Sequence, residues 1–120
     1  MSNDTNTPGI GNPVLKDNFE VLISQLRSFY EGERQQAIHG LLKLKDKRAV
    51  LPLIGRLKND KSENVRIDAA NALYEIKDVQ AWDSILTCLH TDPSFNVQSC
   101  CAEIIGNLGI MEYANDLVSN

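Results

Sequence analysis

The chain has 120 residues, which is enough for one small domain with a single core. Apolar residues make up 42% and charged residues 23%, the ordinary balance of a soluble globular protein. No apolar run approaches the ~20 residues of a membrane span, the first residues do not resemble a signal peptide, and three cysteines form no complete disulfide framework. We therefore expect a cytoplasmic protein with reduced thiols and no membrane partner.

Charge is distributed unevenly along the chain, whose net charge is −4. Between Lys43 and Lys61, seven basic residues against two acidic ones give a local charge of +5, whereas all six charged residues after Lys77 are acidic. A basic stretch can bind nucleic acid, but the low pI of about 5.1 and the acidic C-terminal third favour a solvated face instead. We do not expect a nucleic-acid partner.

The chain begins with a polar segment and continues with helical patterning. Residues 1–13 are rich in Gly, Pro and Asn, which predicts a disordered N-terminal tail. In residues 14–120, apolar residues recur at spacings of three and four without alternating β-branched runs, which predicts an all-α domain. Its first element is a capping helix at about 17–28, with Val21, Leu22 and Leu26 as apolar positions.

From Arg34 onward, the chain repeats itself with a period of 32 residues and no gap. Leu41 falls on Leu73 and Ile105 in this register. A fixed period between 20 and 50 residues indicates a solenoid, in which each unit buries its apolar face against its neighbours. The predicted repeats are about 30–59, 60–91 and 92–120.

Each repeat is predicted to contain two helices. The first helices, at about 61–76 and 93–108, are expected to begin after the N-cap residues Asp60 and Asp92, with Pro93 at the first helical position. The second helices, at about 47–58 and 79–90, are expected to be capped by Asp46 and Asp78, respectively.

Small and large apolar residues are predicted to have different roles in the packing of the helices. Small residues should allow neighbouring helices to approach closely, and larger ones should fill the space between them. The predicted small contacts are Ala37, Ala69, Ala70 and Ala102. The predicted core face of the second helices contains Val50, Leu53, Ile54, Leu57, Trp82, Ile85, Leu86 and Leu89.

These residues carry a family resemblance. The pattern Asp60, Val65–Arg66, Ala69–Ala70, Leu73, Ile76, Asp78, Ala81 and Leu89 resembles the short HEAT-like repeats first described in phycobilin lyases. The resemblance implies a short right-handed α-solenoid of about three helix-pair repeats with an N-terminal capping helix. It also implies a polar ladder of Asp and Arg residues from one repeat to the next, formed by Asp60, Arg66 and Asp92 and ending at Gln98.

The residues give no support to an enzymatic site. The histidines form no His-Glu dipeptide of the kind that binds iron in some HEAT-repeat enzymes. Adjacent Cys100 and Cys101 point about 100° apart on a helix and do not form a chelating pair. Cys101 matches Ala37 and Ala69 and is expected in the core, with Cys100 more exposed. We predict a non-enzymatic chain with no catalytic residue, cofactor or metal.

The remaining hypothesis is a protein-binding module. The outer side of the second helices combines small side chains with flanking charges, which would let a partner helix or strand come close; a plain exposed face is the other interpretation. The candidate partner-binding residues are Arg48, Leu51, Pro52, Gly55, Arg56, Gln80, Asp83, Ser84 and Thr87.

Two functions remain open at this stage. The first is a non-catalytic adaptor or scaffold that binds a partner protein of unknown identity. The alternative, implied only by the resemblance, is a subunit or accessory factor of a bilin-lyase-like or phycobilisome-associated system, which the colour of the purified protein or its uptake of a bilin would distinguish. The C-terminal end carries little polar cover on Ile110, Met111, Leu117 and Val118, so we expect a second chain there, in a homodimer or a hetero-complex.

Overall fold

The computed structural model describes residues 18–109, and in this range the chain forms six α-helices and no strand. Short 3-10 turns, Lys47–Ala49 and Val79–Ala81, precede the third and fifth helices. The all-α solenoid is confirmed. The predicted tail and the C-terminal apolar residues Ile110, Met111, Leu117 and Val118 lie outside the described range. The helices are α1 Asn18–Gln25, α2 Glu31–Leu44, α3 Val50–Asn59, α4 Glu63–Ile76, α5 Trp82–Thr91 and α6 Phe95–Leu108.

The helices alternate between two layers. Helices α2, α4 and α6 pack side by side in chain order, and each of α1, α3 and α5 packs on the helix that follows it. Helix α3 also contacts α5, whereas the main neighbour of α1 is α2. Helix α4 therefore lies at the centre of the stack, and α1 lies at its edge.

The core forms where the repeat register predicts it. Leu41, Leu73 and Ile105, which share one register position, are all buried, and so are Ala37, Ala69 and Ala70. Ala102 was expected to be buried like Ala70, but it is exposed. The prediction was wrong there because α6 is the last helix of its layer in the described range, so no described helix covers that side of Ala102.

The second helices bury a narrower face than predicted. Val50, Leu53, Leu57 and Ile85 are fully buried, whereas Ile54, Trp82, Leu86 and Leu89 are only partly buried. Cys88 of α5 is also buried. Its Sγ lies 4.0 Å from the carbonyl oxygen of Leu57, so it packs against α3.

The ends of the first helices differ from the prediction. Ser62 and Ser94, not Asp60 and Asp92, are the N-caps of α4 and α6, and Pro93 precedes α6 rather than opening it. The Ser62 hydroxyl accepts a hydrogen bond from the N–H of Val65 at 3.3 Å. The two aspartates are engaged by buried arginines instead.

The caps of the second helices are confirmed. Asp46 and Asp78 accept hydrogen bonds from the N–H groups of Arg48 and Gln80, at 2.9 and 3.0 Å. These bonds satisfy N–H groups at the start of each 3-10 turn.

Helix α1 packs through only part of its predicted apolar face. Leu26 is buried, and Leu22 lies so close to Gly40 that a Cβ at Gly40 would be 2.8 Å from the Leu22 side chain. Val21, expected to pack with them, is 56% exposed. The prediction failed for Val21 because α1 has one principal neighbour, which covers only one side of the helix.

Candidate functional site

The nine candidate residues lie on neighbouring elements, α3 and α5 with the turns that precede them. None of the nine is buried. Leu51 is the largest apolar side chain among them, and it is 66% exposed. We call this surface the α3–α5 face; its exposed members are Arg48, Leu51, Gln80, Asp83 and Thr87, and its half-buried members are Pro52, Gly55, Arg56 and Ser84.

Arg48 is held in place by two neighbours within the chain. Its Nη2 lies 2.6 Å from Asp46 Oδ2, and its guanidinium lies 4.1 Å from the centre of the Phe19 ring. Hydrogen bonds from Arg48 lower the pKa of Asp46. Arg48 therefore fastens α1 to the start of α3, while most of its side chain stays accessible to a partner.

Arg56 belongs to a buried ion cluster. Its Nη1 lies 3.1 Å from Asp60 Oδ2, and Asp60 also receives two hydrogen bonds from Arg34, at 2.8 and 2.9 Å. Burial alone would raise the pKa of Asp60, but the bonds from Arg34 and from the Ser62 N–H outweigh it and lower that pKa. Arg56 is thus partly structural, which the sequence did not indicate.

The polar ladder implied by the resemblance is confirmed. Arg66 bonds both carboxylate oxygens of Asp92, at 2.9 and 3.1 Å, and donates to the carbonyl of Asp60 at 2.7 Å. The ladder begins one unit earlier than expected, with the Arg34–Asp60 pair. Gln98 donates to the carbonyl of Asp92 at 2.9 Å, so it keeps the arginine's backbone contact and ends the series of ion pairs as expected.

A second series of hydrogen bonds joins the starts of the first helices. The Glu31 carboxylate accepts from Ser62 Oγ at 2.8 Å and from Asn64 Nδ2 at 3.2 Å. One repeat later, Glu63 accepts from Ser94 Oγ and Asn96 Nδ2, and these bonds lower the pKa of Glu63. This series was not predicted from the sequence, although its Glu, Ser and Asn residues each recur 32 residues apart.

A comparison with protein families agrees with this geometry. A family model of HEAT repeats matches residues 19–117. The chain belongs to the HEAT-repeat family. No curated protein matches it. HEAT repeats commonly mediate contacts between proteins, and the family is generally non-catalytic.

The basic stretch of this HEAT stack does not form one continuous patch. Its residues divide between the two ends of α3, a ten-residue helix about 15 Å long. Arg48 and Arg56 are already engaged by carboxylates. A nucleic-acid backbone would need a longer run of accessible cations. Lys43, Lys45, Lys47 and Arg48 lie toward the start of α3, and Arg56, Lys58 and Lys61 lie toward its end.

The thiols lie in settings that disfavour the thiolate. Cys101 is buried, as predicted, and burial raises its pKa to about 12. Burial also raises the pKa of Cys88 and of half-buried Cys100, whose Sγ lies 3.5 Å from Asn71 Oδ1. A nucleophilic cysteine needs a lowered pKa. These positions therefore favour packing roles for the three cysteines.

Residues 18–109 contain neither a metal-binding cluster nor a membrane-spanning helix. That range contains no group of three or more His, Cys, Asp or Glu side chains placed to hold a metal ion. None of the described helices has both the length and the apolar character needed to cross a membrane.

Proposed function

We propose that the chain is a non-catalytic adaptor or scaffold that binds a partner protein through the α3–α5 face. The observation that carries the proposal is Leu51, a large apolar side chain left 66% exposed on a helix whose other apolar positions are largely covered. Covering a leucine side chain is worth about 1.5–3 kcal/mol. A partner that covers Leu51 would gain part of that free energy.

The side chains around Leu51 favour a protein partner. Pro52, Gly55 and Ser84 are short, so the backbone of a partner could approach closely between α3 and α5. Arg48 and Asp83 place both signs of charge on the same surface. An apolar contact surrounded by polar groups of both signs is the usual composition of a protein interface.

The Leu51→Asp variant tests this proposal. A partner is first identified by capture from the source cells and mass spectrometry, and its affinity is then measured by titration calorimetry. We expect the variant to bind at least about tenfold more weakly, because the aspartate stays hydrated and removes the apolar contact. The helical circular-dichroism signal should be unchanged, since Leu51 does not contribute to the core.

Leu44→Asp is the matched control, because Leu44 is another exposed leucine but lies at the end of α2, in the other layer. It should leave the affinity unchanged. A partner that is lost with Leu44→Asp and retained with Leu51→Asp would place the contact on the α2, α4 and α6 layer and would contradict the proposal. Uptake of a bilin by the purified chain would instead favour the alternative function.

A further inference from the structure

A groove lies between α1 and α3, beside the α3–α5 face. It exists because α1 packs mainly on α2 and leaves its side toward α3 open. Its volume is about 240 Å³. A Cβ at Gly55 would meet nothing within 4 Å, so the absence of a side chain there keeps the groove open. The lining residues are Ile23, Leu26 and Arg27 of α1 and its following turn, and Pro52, Gly55 and Arg56 of α3.

The groove meets a second pocket at Arg56. This second pocket, of about 250 Å³, lies at the loops that follow α1 and α3 and is lined by Phe29 and Lys61 among others. Phe29 is 77% exposed, with the Tyr30 ring edge-on to it at 5.4 Å and Lys61 Nζ 4.9 Å from its centre. The two pockets share Arg56 as a lining residue, and we call them together the α1–α3 groove, with the aromatic side chain at one end.

The aromatic end of the groove rests on a fixed backbone. Buried Arg34 donates from Nη1 to the carbonyl oxygens of Ser28 and Phe29, both at 3.0 Å. The backbone that carries Phe29 is therefore held by a buried guanidinium. A binding surface that is ordered in advance loses less entropy when a ligand binds.

The charge around the groove is positive. Asp60, the carboxylate that lines the second pocket, is already bonded by Arg34 and Arg56. Arg27 and Lys61 are exposed, and within residues 18–109 no carboxylate lies within salt-bridge distance of either. An acidic ligand is thus complementary to the groove, and a basic ligand is disfavoured.

We propose that the α1–α3 groove binds an acidic peptide segment of the partner protein, with one apolar side chain over Gly55 and carboxylates near Arg27 and Lys61. The proposal rests on the proposed function, because the segment belongs to the protein that the scaffold binds. It adds the chemistry of that segment and extends the contact to α1 from the α3–α5 face, with which the groove shares Pro52, Gly55 and Arg56.

The probe is a fluorescein-labelled synthetic peptide in which one leucine is flanked on both sides by glutamates. Binding to the full chain is followed by fluorescence anisotropy, and the site is mapped by the changes in amide NMR signals. We expect changes at Gly55 and its neighbours, and an affinity that falls as salt is added, because exposed charges are screened. Peptides with lysines for the glutamates, or with serine for the leucine, should bind at least about tenfold more weakly.

Gly55→Leu tests the space in the groove. A leucine there should fill the groove and lower the affinity for the peptide at least about tenfold. The stability of the helix should rise slightly, because a glycine is removed. Gly106→Leu is the control, because a Cβ at Gly106 also meets nothing within 4 Å and the residue lies on α6. Equal affinity of the Gly55→Leu variant and the unmodified chain would overturn the proposal.

A pair of charge variants tests the electrostatic attraction separately from the space tested by Gly55→Leu. Arg27→Glu with Lys61→Glu reverses two charges at the groove, and Lys43→Glu with Lys47→Glu reverses two charges at the other end of α3. We expect the affinity for the peptide to fall about tenfold or more in the first variant and only slightly in the second, although the net charge changes equally in both. Equal losses would mean general attraction and would reject a specific groove.

Two outcomes separate this proposal from its alternatives. A duplex DNA fragment that competes as strongly as the peptide would assign the groove to a phosphate backbone and overturn the peptide assignment. A cellular partner that binds the Gly55→Leu variant normally but is lost with Leu51→Asp would reject the groove and leave the proposed function intact. A partner that is unaffected by both variants would reject both.

Discussion

Replacing Asp60 by alanine is expected to lower the free energy of unfolding by about 3–5 kcal/mol, the usual cost of removing one partner of a buried ion pair. Asp60 accepts two hydrogen bonds from Arg34, one from Arg56 and one from the Ser62 N–H. The substitution would leave the buried Arg34 charge without its carboxylate. Urea unfolding followed by circular dichroism measures the change.

Glu75→Ala is the control for this measurement. Glu75 is an exposed carboxylate on α4, and its removal should change the free energy of unfolding by no more than about 0.5 kcal/mol. Similar values for the two variants would mean that the Arg34–Asp60 pair contributes no more than a surface charge. The polar ladder would then contribute little to the stability of the fold.

The Ala70→Leu variant is expected to lose about 1–3 kcal/mol of stability, because it adds volume to a closely packed contact between helices. Ala70 is completely buried, on the central helix of the stack. Leucine is a good helix former, so the loss would not come from helix propensity. Thermal and urea unfolding measure it.

The chain supplies a matched control for this substitution. Ala102 occupies the same position one repeat later, on α6, and it is exposed. Ala102→Leu should therefore change stability little. An equal loss in both variants would contradict the assignment of these helix faces, and so would an unchanged melting temperature for Ala70→Leu.

The repeat register made the fold predictable. Leu41, Leu73 and Ile105 could be assigned to the core because the same apolar residue type recurs where each repeat buries it. The period also placed the turns and the arginines Arg34 and Arg66 of the first helices in the first two repeats. These features depend on contacts that recur in every unit, so each copy supports the assignment of the others.

The helix caps were misassigned for a physical reason. Asp60 and Ser62 are both good N-cap residues, and they lie two positions apart. The choice between them is made by Arg34, which is 26 residues earlier in the chain and takes the aspartate into a buried ion pair. A local pattern contains no information about such a distant partner.

The candidate face was easier to predict than the groove beside it. The exposure of Leu51 follows from the helical period, and the nine residues chosen from it are all at least partly exposed. The groove depends on how α1 lies against α3, and α1 is one residue out of register with the later helices. Its lining residues Ile23 and Arg27 precede Arg34, where the gap-free 32-residue register begins, so the register did not reveal the groove.

The buried ion pairs each join one repeat only to the next, Arg34 to Asp60 and Arg66 to Asp92. The stack can therefore open locally from an end, breaking one link at a time, so amide hydrogens in α4 should be the last to exchange with solvent. Among the described helices, we expect α1, with one principal neighbour, to open most easily. A ligand held between α1 and α3 would close that weak end, so binding would slow hydrogen exchange most strongly at the part of the molecule that is least stable without it.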